Sequence, residues 1–285
     1  MAALTNKIDF MVLCTVSNAN PNGDPLDGNR PRTTYSGQGE ISDVCIKRKI
    51  RNRLQDMGEN IFLQSAERSD DDKKSLSERA SANIVGCETN EEYARLACEK
   101  WIDVRSFGQV FAFKAKNNVG AGVSVGVRGP VTVHQALSVS PVDVSSMQIT
   151  KSVNSEPTDD GRKSSDTMGT KHMVVFGLYV IKGSMNVQLA EKTGFSDEDA
   201  QKIKEALRTL FINDASAARP DGSMEVVKLY WWKHNNKIGQ YSSAKVHNTI
   251  KITLKPGVEI PTGIDDYIIE QNDLAGLVPE IIKGI

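Results

Sequence analysis

The sequence lacks the features of a membrane, secreted or metal-dependent protein. It contains no run of the roughly eighteen apolar residues that a membrane span needs, and its first residues, MAALTNKIDF, lack the basic-then-apolar layout of a secretory signal. The four cysteines show no CxxC pairing, and the four histidines form no HxxxH or HExxH motif. We therefore expect a cytoplasmic globular protein with reduced thiols, no membrane partner, no metal and no cofactor.

Strong net charge is also missing, since the 285 residues carry a formal net charge of -1. This value argues against a generic basic nucleic-acid-binding protein. The charge is nevertheless unevenly distributed: residues 30–53 hold seven basic and two acidic side chains, whereas residues 67–99 hold nine acidic and five basic ones. Such an asymmetry favours a focused anion-binding surface on a molecule that assembles with copies of itself.

Phosphate-binding signatures are absent from the glycine-rich stretch NNVGAGVSVGVRGP. Gly120, Gly122 and Gly126 are spaced GxGxxxG, not GxGxxG, and a strand pattern containing Pro130 follows where a helix should begin. No GxxxxGK[ST] motif occurs either. A glycine-rich loop or β-bulge is favoured over a mononucleotide site. A third interpretation stays open, in which the glycines let a polynucleotide backbone approach and Arg128 supplies charge.

What the sequence does have is an unusual density of turn-forming residues near its start. The stretch NANPNGDPLDGNRPR, residues 18–32, holds four Asn, three Pro, two Gly and two Asp. It is about three times longer than a surface turn requires, so it is predicted to be a rigid loop that presents backbone N–H groups, Arg30 and Arg32. Asp24 and Asp27 could assist strand cleavage, but an Asx-turn to their own backbone is favoured.

The segments on either side of this loop have clear patterns. Residues 7–16, KIDFMVLCTV, are apolar and β-rich and are predicted to form a central strand. Ser42 is a helix cap, and the apolar residues that follow it at helical spacing are Ile46, Ile50, Leu54 and Met57. The predicted order is therefore a strand, a long ordered loop and an amphipathic basic helix.

The basic face of this helix has two interpretations. Charged residues on the back of an amphipathic helix usually form a solvated face. Between Lys47 and Arg53, however, no acidic residue is present, so no i,i+4 ion pair within that run accounts for the charges. Contact with phosphate groups is an equal alternative.

The rest of the chain alternates between helical and strand patterns. Residues 65–83 are polar and predict a mobile insertion or a solvated helix pair, and residues 89–101 predict a second helix. From Arg105 onward we expect short strands, and the polar residues 154–170 form either a disordered loop or a protruding arm between two strands. The second of these two strands is predicted in the apolar, β-rich run HMVVFGLYVIKGSMNVQLA, residues 172–190.

In the last third of the chain, Ser196 caps a further helix. The runs MEVVKLYWW and TIKITL predict two more strands, and the tail IDDYIIEQNDLAGLVPEIIKGI predicts short helical pieces. In the aromatic run Tyr230, Trp231 and Trp232, a division between core and surface is favoured over stacking on bases. The whole order predicts an α+β fold, a ferredoxin-like or RRM-like sandwich with large insertions.

The opening loop and the basic helix together resemble a known family. NPNGDPLDGNRPR followed by SDVCIKRKIR, residues 42–51, is similar to the backbone subunit of the CRISPR Cascade complex, and specifically to the type I-C member of the RAMP family. DVRSFGQVFA (residues 103–112) and GVRGPVTVHQA (residues 126–136) fit the same family, so the resemblance extends along the whole chain.

The resemblance implies an α+β architecture with an RRM/ferredoxin-like palm, inserted helical fingers and a protruding β-hairpin thumb. It places the first part of the palm with the basic helix in residues 1–57 and the polar, helical fingers in residues 58–102. Palm strands and the glycine-rich loop follow in residues 103–151, the thumb in residues 152–172, and the remainder of the palm with the C-terminal tail in residues 173–285.

The resemblance also implies a non-catalytic, crRNA-binding subunit that polymerises along the guide as a helical filament. Its implied partners are crRNA, target DNA paired with the guide, copies of itself and other Cascade subunits. Such a scaffold should hold phosphates and sugars, because base contacts would restrict the guides it accepts. Met168 is the expected wedge beside a displaced base. The expected RNA-binding residues are Asn20, Asn22, Arg30, Arg32, Lys47, Arg48, Arg51, Arg128, Lys151, Met168, Lys171 and His172.

Two other functions stay open. The first is a metal-independent RAMP endoribonuclease that uses a loop aspartate, for which Asp24 and Asp27 are the candidates. The second is a protein-interaction module that binds no RNA.

Overall fold

The fold is built around one large antiparallel sheet. The structure is a computed structural model and describes residues 2–113, 123–150 and 168–285. Along the sheet the strands follow the order β14 (Glu280–Lys283), β11 (Met224–Lys233), β1 (Ile8–Ala19), β10 (Met168–Met185), β8 (Ala136–Pro141) and β4 (Gln38–Ile41). Strands β7 (Val131–Val133) and β9 (Val144–Thr150) also pair with β10. The mixed α/β architecture with a large antiparallel sheet confirms the predicted α+β class.

Strand β1 lies at the centre because both of its faces are apolar. Val12 pairs with Ile181 of β10 on one side and with Leu229 of β11 on the other. The even-numbered side chains from Ile8 to Val16 enter one hydrophobic core, while Met11 and Leu13 enter a second core on the opposite face. The predicted central strand is therefore confirmed, and it runs three residues further than its apolar run.

Two helices cover the first face of the sheet. The predicted helix α1 (Asp43–Asp56) begins after Ser42, whose side chain accepts a hydrogen bond from the Cys45 N–H, and α6 (Asp197–Arg208) begins with a capping box. The two helices pack on each other and on β1 in one core. The buried apolar members that they contribute are Ile46, Ile50, Leu54, Ala200, Ile203, Ala206 and Leu207.

The second face is covered by a short helix and a hairpin. Helix α7 (Ser243–His247) precedes β12 (Ile250–Leu254), which pairs with β13 (Tyr267–Gln271). The tail was predicted to be helical and this prediction is wrong, because it supplies β13 and β14 and only one 3₁₀ turn at Ile264–Asp266. Tyr267 is buried and packs with Ile269 against the second core, so sheet packing decides the conformation of the tail.

The inserted region between residues 58 and 128 has its own core. It contains α2 (Leu76–Asn83), α3 (Asn90–Lys100), α4 (Ile102–Phe107), β5 (Gly108–Phe113) and β6 (Val123–Arg128). Phe62, Trp101 and Phe111 are buried together, with Phe62 and Trp101 ring centroids 4.7 Å apart. The predicted strand at Arg105 is instead part of α4, whose Ile102 is buried in the core under the large sheet and whose Val104 is buried in the core of the inserted region.

The solvated insertion predicted at residues 65–83 is anchored by a buried arginine. The Arg79 guanidinium donates to the Phe62 carbonyl oxygen at 2.8 Å and to Asp71 at 2.7 Å. Helix α2 and a 3₁₀ turn at Ala66–Arg68 are the ordered elements of this segment. The segment is therefore a packed part of the fold and carries one helix instead of a pair.

Two further predictions are corrected by packing. Tyr230, Trp231 and Trp232 are all buried, since both faces of β11 are covered, so none of them reaches the surface. The apolar run that ends at Ala190 is not strand throughout: β10 stops at Met185, and α5 (Val187–Thr193) begins after Asn186, whose side chain caps the helix at the Leu189 N–H.

Several predictions concern residues outside the described part of the chain. These residues are Gly120, Gly122, Lys151 and most of the polar stretch at 154–170. Within the described ranges, no helix is both long and apolar enough to cross a membrane. The same ranges hold no group of three or more His, Cys, Asp or Glu side chains placed to ligate a metal, and all four cysteines are free thiols.

Candidate nucleic-acid interface

The turn-rich loop at the exit of β1 folds into a small hairpin. Strand β2 (Gly23–Asp24) pairs with β3 (Arg30–Pro31), and Gly28 and Asn29 close the turn with φ values of 55° and 61°. Asp24 accepts a hydrogen bond from the Leu26 N–H at 3.1 Å, which confirms the Asx-turn predicted for this residue. The same carboxylate oxygen lies 3.3 Å from the Arg32 guanidinium. The loop is therefore ordered by its own polar side chains.

Asn20 and Asn22 attach this hairpin to the rest of the molecule. The Asn22 Oδ1 atom accepts from both the backbone N–H and the hydroxyl of Ser42, at 2.9 and 2.8 Å. The Asn20 Nδ2 donates to the Asn29 carbonyl oxygen at 2.6 Å. Asn22 thus holds the loop against the first turn of α1, and Asn20 fastens the turn of the hairpin to the end of β1. Turn propensity alone did not specify these structural roles.

Arg30 connects the hairpin to a two-stranded ribbon formed by β9 and the first part of β10. Its guanidinium donates to the Ser146 hydroxyl at 3.1 Å, and that hydroxyl lies 2.8 Å from Nδ1 of His172. Ser146 and His172 are directly paired across the ribbon. Arg30 therefore forms one cluster with two polar side chains that lie more than a hundred residues further along the chain.

The ribbon presents different chemistry on its two sides. Directly paired residues of an antiparallel ladder point to the same side, so His172 shares a side with Ser146, and Lys171 shares the other with Met147. Met168 is 65% exposed on the side of His172, and the Gln148 amide lies 3.1 Å from its sulfur. Of the predicted thumb residues, Met168 and His172 are thus on the side of Arg30, and Lys171 is on the opposite side.

The basic helix α1 does not present its charges on one face. Successive residues are rotated by about 100° around a helix, so Lys47, Arg48 and Arg51 reach different surroundings. Lys47 pairs with Asp43 at 2.9 Å, Arg48 donates to the Leu63 carbonyl oxygen, and the buried Arg51 pairs with Asp103 at 3.0 Å. Lys49 is also buried and pairs with Asp214. The expectation of one exposed basic face is therefore wrong. Three of these basic side chains pair with Asp43, Asp103 and Asp214, which lie outside residues 47–53.

Arg128 is exposed at the end of β6 and shares a shallow cleft with Lys47. The cleft has a volume of about 580 Å³ and is lined mainly by the ends of β5, β6 and β7. Gly108 and Gly129 let these strands approach closely, since a Cβ on Gly129 would lie 2.3 Å from the Ser106 carbonyl oxygen. Arg128 and Lys47, which are far apart in sequence, are thus brought to one surface.

Sequence reasoning missed Ser146, Arg68 and Arg219 as members of the polar and basic surface. Ser146 lies in a strand of ordinary composition, and Arg68 follows an acidic residue, so neither stood out. Arg219 lies in the connection between α6 and β11, and its guanidinium contacts Asp214 at 3.2 Å. Only the tertiary contacts between this connection and α1 reveal it.

The fold and this surface define an α+β protein in which a rigid polar loop, a two-stranded ribbon and a basic helix meet beside the central strands. The family model of CRISPR-associated protein Cas7 matches residues 6–272. The chain therefore belongs to the CRISPR-associated protein Cas7 family.

Comparisons with individual proteins agree with this assignment. A CRISPR-associated protein Cas7 from Haloferax volcanii is 24% identical over 213 residues, which cover 70% of this chain. This chain spans 62% of the length of that curated relative.

Two solved structures also resemble the fold. A chain of a CRISPR RNA-guided surveillance complex in a pre-nicking state aligns with a TM-score of 0.49 at 15% identity, covering 79% of this chain and 78% of that one. A chain of a second CRISPR RNA-guided surveillance complex aligns with a TM-score of 0.45 at 18% identity, covering 79% and 68%. The family assignment rests on the family model and not on these two likenesses.

Proposed function

We propose that this chain is a non-catalytic, crRNA-binding backbone subunit of a type I CRISPR Cascade complex, of the type I-C kind. The observation that carries the proposal is the cluster of Arg30, Ser146 and His172. It joins the loop and the ribbon that were separately expected to hold RNA. A guanidinium and an imidazole side by side suit phosphate and sugar oxygens, the parts of a guide that do not vary with its sequence.

The strand order supports an RRM-like palm. Taking β1, β8, β10 and β11 in chain order as strands one to four, their order in the sheet is four, one, three, two, with every neighbouring pair antiparallel. Helix α1 lies between the first two strands in sequence and α6 between the last two, and both pack on the same face. This order and helix placement are those expected of a ferredoxin-like arrangement and so support the proposed palm.

The remaining features of the proposal follow the family resemblance. Met168 and His172 of β10 belong to the thumb that the resemblance implies for residues 152–172, and residues 152–167 of that range, like Lys151, lie outside the described residues. Copies of the chain would polymerise along the guide, present its spacer bases to target DNA and contact other Cascade subunits. The uneven charge of the sequence suits such a head-to-tail assembly, because a basic surface of one copy can face an acidic flank of the next.

The ribonuclease alternative has less support. Asp24 is engaged with the Leu26 N–H and with Arg32, which leaves it poorly placed to accept a proton from an RNA hydroxyl. Incubation of the purified protein with labelled single-stranded RNA tests this point. Cleavage that is lost in Asp24→Ala or Asp27→Ala would replace the non-catalytic proposal with the enzymatic one.

Co-expression with and without a CRISPR array tests the main proposal. We expect the chain to purify with nuclease-protected RNA of guide length only when the array is present, and with a regular ladder after partial digestion. Arg30→Ala should retain less RNA than Arg95→Ala, because Arg95 is an exposed arginine on α3 that pairs only with Glu99 in the described structure. Protein that stays free of RNA with the array present would overturn the proposal and favour a protein-interaction module.

A further inference from the structure

A second basic cleft lies on the other side of α1 from Lys47. It has a volume of about 680 Å³, within the range of ligand-binding clefts. We call it the arginine cleft. Its four basic lining residues come from three separate segments and are Arg48, Lys49, Arg68 and Arg219. Glu67 and Asp214 are its acidic lining residues, so the lining carries an excess of positive charge.

The basic side chains of the arginine cleft are only partly neutralised. Asp214 is shared between the Lys49 ammonium and the Arg219 guanidinium, and Arg68 pairs with Asp56, which lies outside the lining, and donates to the Asn213 carbonyl oxygen. Among the residues that the structure describes, no carboxylate lies within 4.0 Å of the Arg48 guanidinium, which instead donates to the Leu63 carbonyl oxygen. Arg48 therefore has further N–H donors available on a side chain that is already held in place.

Arg48 is positioned by a chain of buried contacts. The Leu63 N–H donates to Asp103 Oδ2 at 3.1 Å, and the Phe62 N–H donates to Asp103 Oδ1 at 2.8 Å. The residue whose carbonyl oxygen accepts from Arg48 is thus held through its N–H group by a fully buried carboxylate. Burial, together with the nearby positive charge of Arg51, lowers the pKa of Arg48. An anion placed against Arg48 would offset this unfavourable environment.

The arginine cleft also contains an unused hydroxyl. Ser65 lines the cleft, and within the described structure its buried Oγ atom has no hydrogen-bond partner. A buried hydroxyl without a partner is costly, and a phosphate oxygen would satisfy it. Ser65 and the three arginines together offer the donors that a phosphodiester group accepts.

The arginine cleft is continuous with the turn-rich loop. The Cys45 thiol at its edge lies 3.7 Å from the Pro21 carbonyl oxygen. The Asn20 N–H donates to the Ala218 carbonyl oxygen at 2.8 Å, next to Arg219. A polyanion bound at the loop can therefore extend into the cleft. This continuity favours a polyanion over an isolated small anion as the ligand.

We propose that the arginine cleft binds a backbone phosphate of the guide RNA, with Arg48 and Arg219 as direct donors and Ser65 as an additional one. This inference rests on the proposed function and deepens it by assigning Ser65, Arg68 and Arg219, residues without a previous role, to the RNA path. The site reads no base, because its donors are cationic or hydroxyl groups suited to phosphate oxygens.

Salt-dependent RNA binding provides the test. A single-stranded RNA of guide length is titrated with purified protein, and the slope of log K against log salt is measured for the variants Arg48→Gln and Arg219→Gln. Each lost phosphate contact should reduce the slope by about 0.7 and weaken binding about tenfold at moderate salt. Arg95→Gln is the matched control and should leave both quantities unchanged.

A variant that is expected to strengthen RNA binding separates an effect on binding from a loss of folding. Glu67 is an exposed member of the cleft lining, so Glu67→Gln removes negative charge without disturbing packing. It should tighten RNA binding roughly twofold to threefold, whereas Glu91→Gln, at an exposed site on α3, should have no effect. A merely structural cleft would show no gain with Glu67→Gln.

The outcomes distinguish the two proposals. If the wild-type chain binds no guide RNA, the proposed function itself fails. If the wild type binds RNA but the Arg48, Arg219 and Glu67 variants match their controls in affinity and slope, the function stands and the arginine cleft is not part of the RNA path. Melting temperatures of all variants identify any loss caused by unfolding.

Discussion

Arg51 and Asp103 form a buried ion pair between α1 and α4, with the Arg51 Nε 3.0 Å from the Asp103 Oδ2. The Arg51 guanidinium also lies over the Phe107 ring, 5.0 Å from its centroid. Asp103 also accepts hydrogen bonds from the backbone N–H groups of Phe62 and Leu63. The pair therefore attaches α4 of the inserted region to α1 on the first face of the sheet and belongs to the interior.

Removing one partner of this pair should destabilise the protein. Arg51→Ala leaves a buried carboxylate without its cation, which typically costs about 3–5 kcal/mol. Urea denaturation should show this loss directly. Arg95→Ala breaks only the exposed Arg95–Glu99 pair and should cost less than about 1 kcal/mol. A stable Arg51→Ala protein with weakened RNA binding would instead place Arg51 on the RNA path.

Gly183 in β10 should not tolerate a side chain. A Cβ at this position would lie 2.2 Å from Phe10 Cζ and 2.4 Å from the Thr132 carbonyl oxygen. We expect Gly183→Ala to lower the free energy of unfolding by about 1–3 kcal/mol, measured by urea denaturation. Gly126 in β6 is the matched control, because no described heavy atom lies within 4 Å of its added Cβ. Equal stability of the two variants would contradict the packing of Phe10 against β10.

The cysteines should react with alkylating reagents in the order of their burial. Burial raises the pKa of Cys14 to about 12 and that of Cys98 to about 11, so the thiolate that reacts is scarce near neutral pH. Cys45 and Cys87 are only partly buried. Mass spectrometry after iodoacetamide treatment of the folded protein should find these two labelled first. Early labelling of Cys14 would show that β1 is not buried between its neighbours.

The stability of the protein should fall in mild acid because of His247. Burial lowers the pKa of His247 in the folded state, so the unfolded chain takes up a proton first as the pH falls below about 6.5. The folded state binds fewer protons in this window, and the free energy of unfolding therefore decreases as the pH decreases. Urea denaturation at pH 7.5 and 5.5 measures the effect.

Replacing His247 should reduce this pH dependence. The His247→Asn variant lacks the buried imidazole that donates to the Gly183 carbonyl oxygen at 3.2 Å, so it is less stable overall but should lose less stability between the two pH values. His172→Asn removes an imidazole from the ribbon and is the control. If His247→Asn and wild type lose the same stability, buried carboxylates and not His247 govern the acid response.

Local patterns in the sequence were sufficient for the elements whose environment is set by their own residues. The apolar run of β1, the Ser42 cap of α1 and the Ser196 cap of α6 all occur where predicted. In each case the structure is determined by the apolar periodicity of the element itself or by a capping residue at its first turn. The family was also evident, since the motif in the turn-rich loop is contiguous.

The sequence by itself thus determined the central strand, the capped helices, the turn chemistry of the loop and the family. Only the tertiary structure decided which charges remain available to a ligand, because ion pairs such as Lys49–Asp214 and Arg51–Asp103 join residues more than fifty positions apart. It also decided that the tail forms strands, since β13 and β14 are stabilised by partners that local propensity does not reveal. Ion pairs and strand pairs between residues that are distant in the sequence form only in the packed fold. Local sequence patterns therefore do not reveal them.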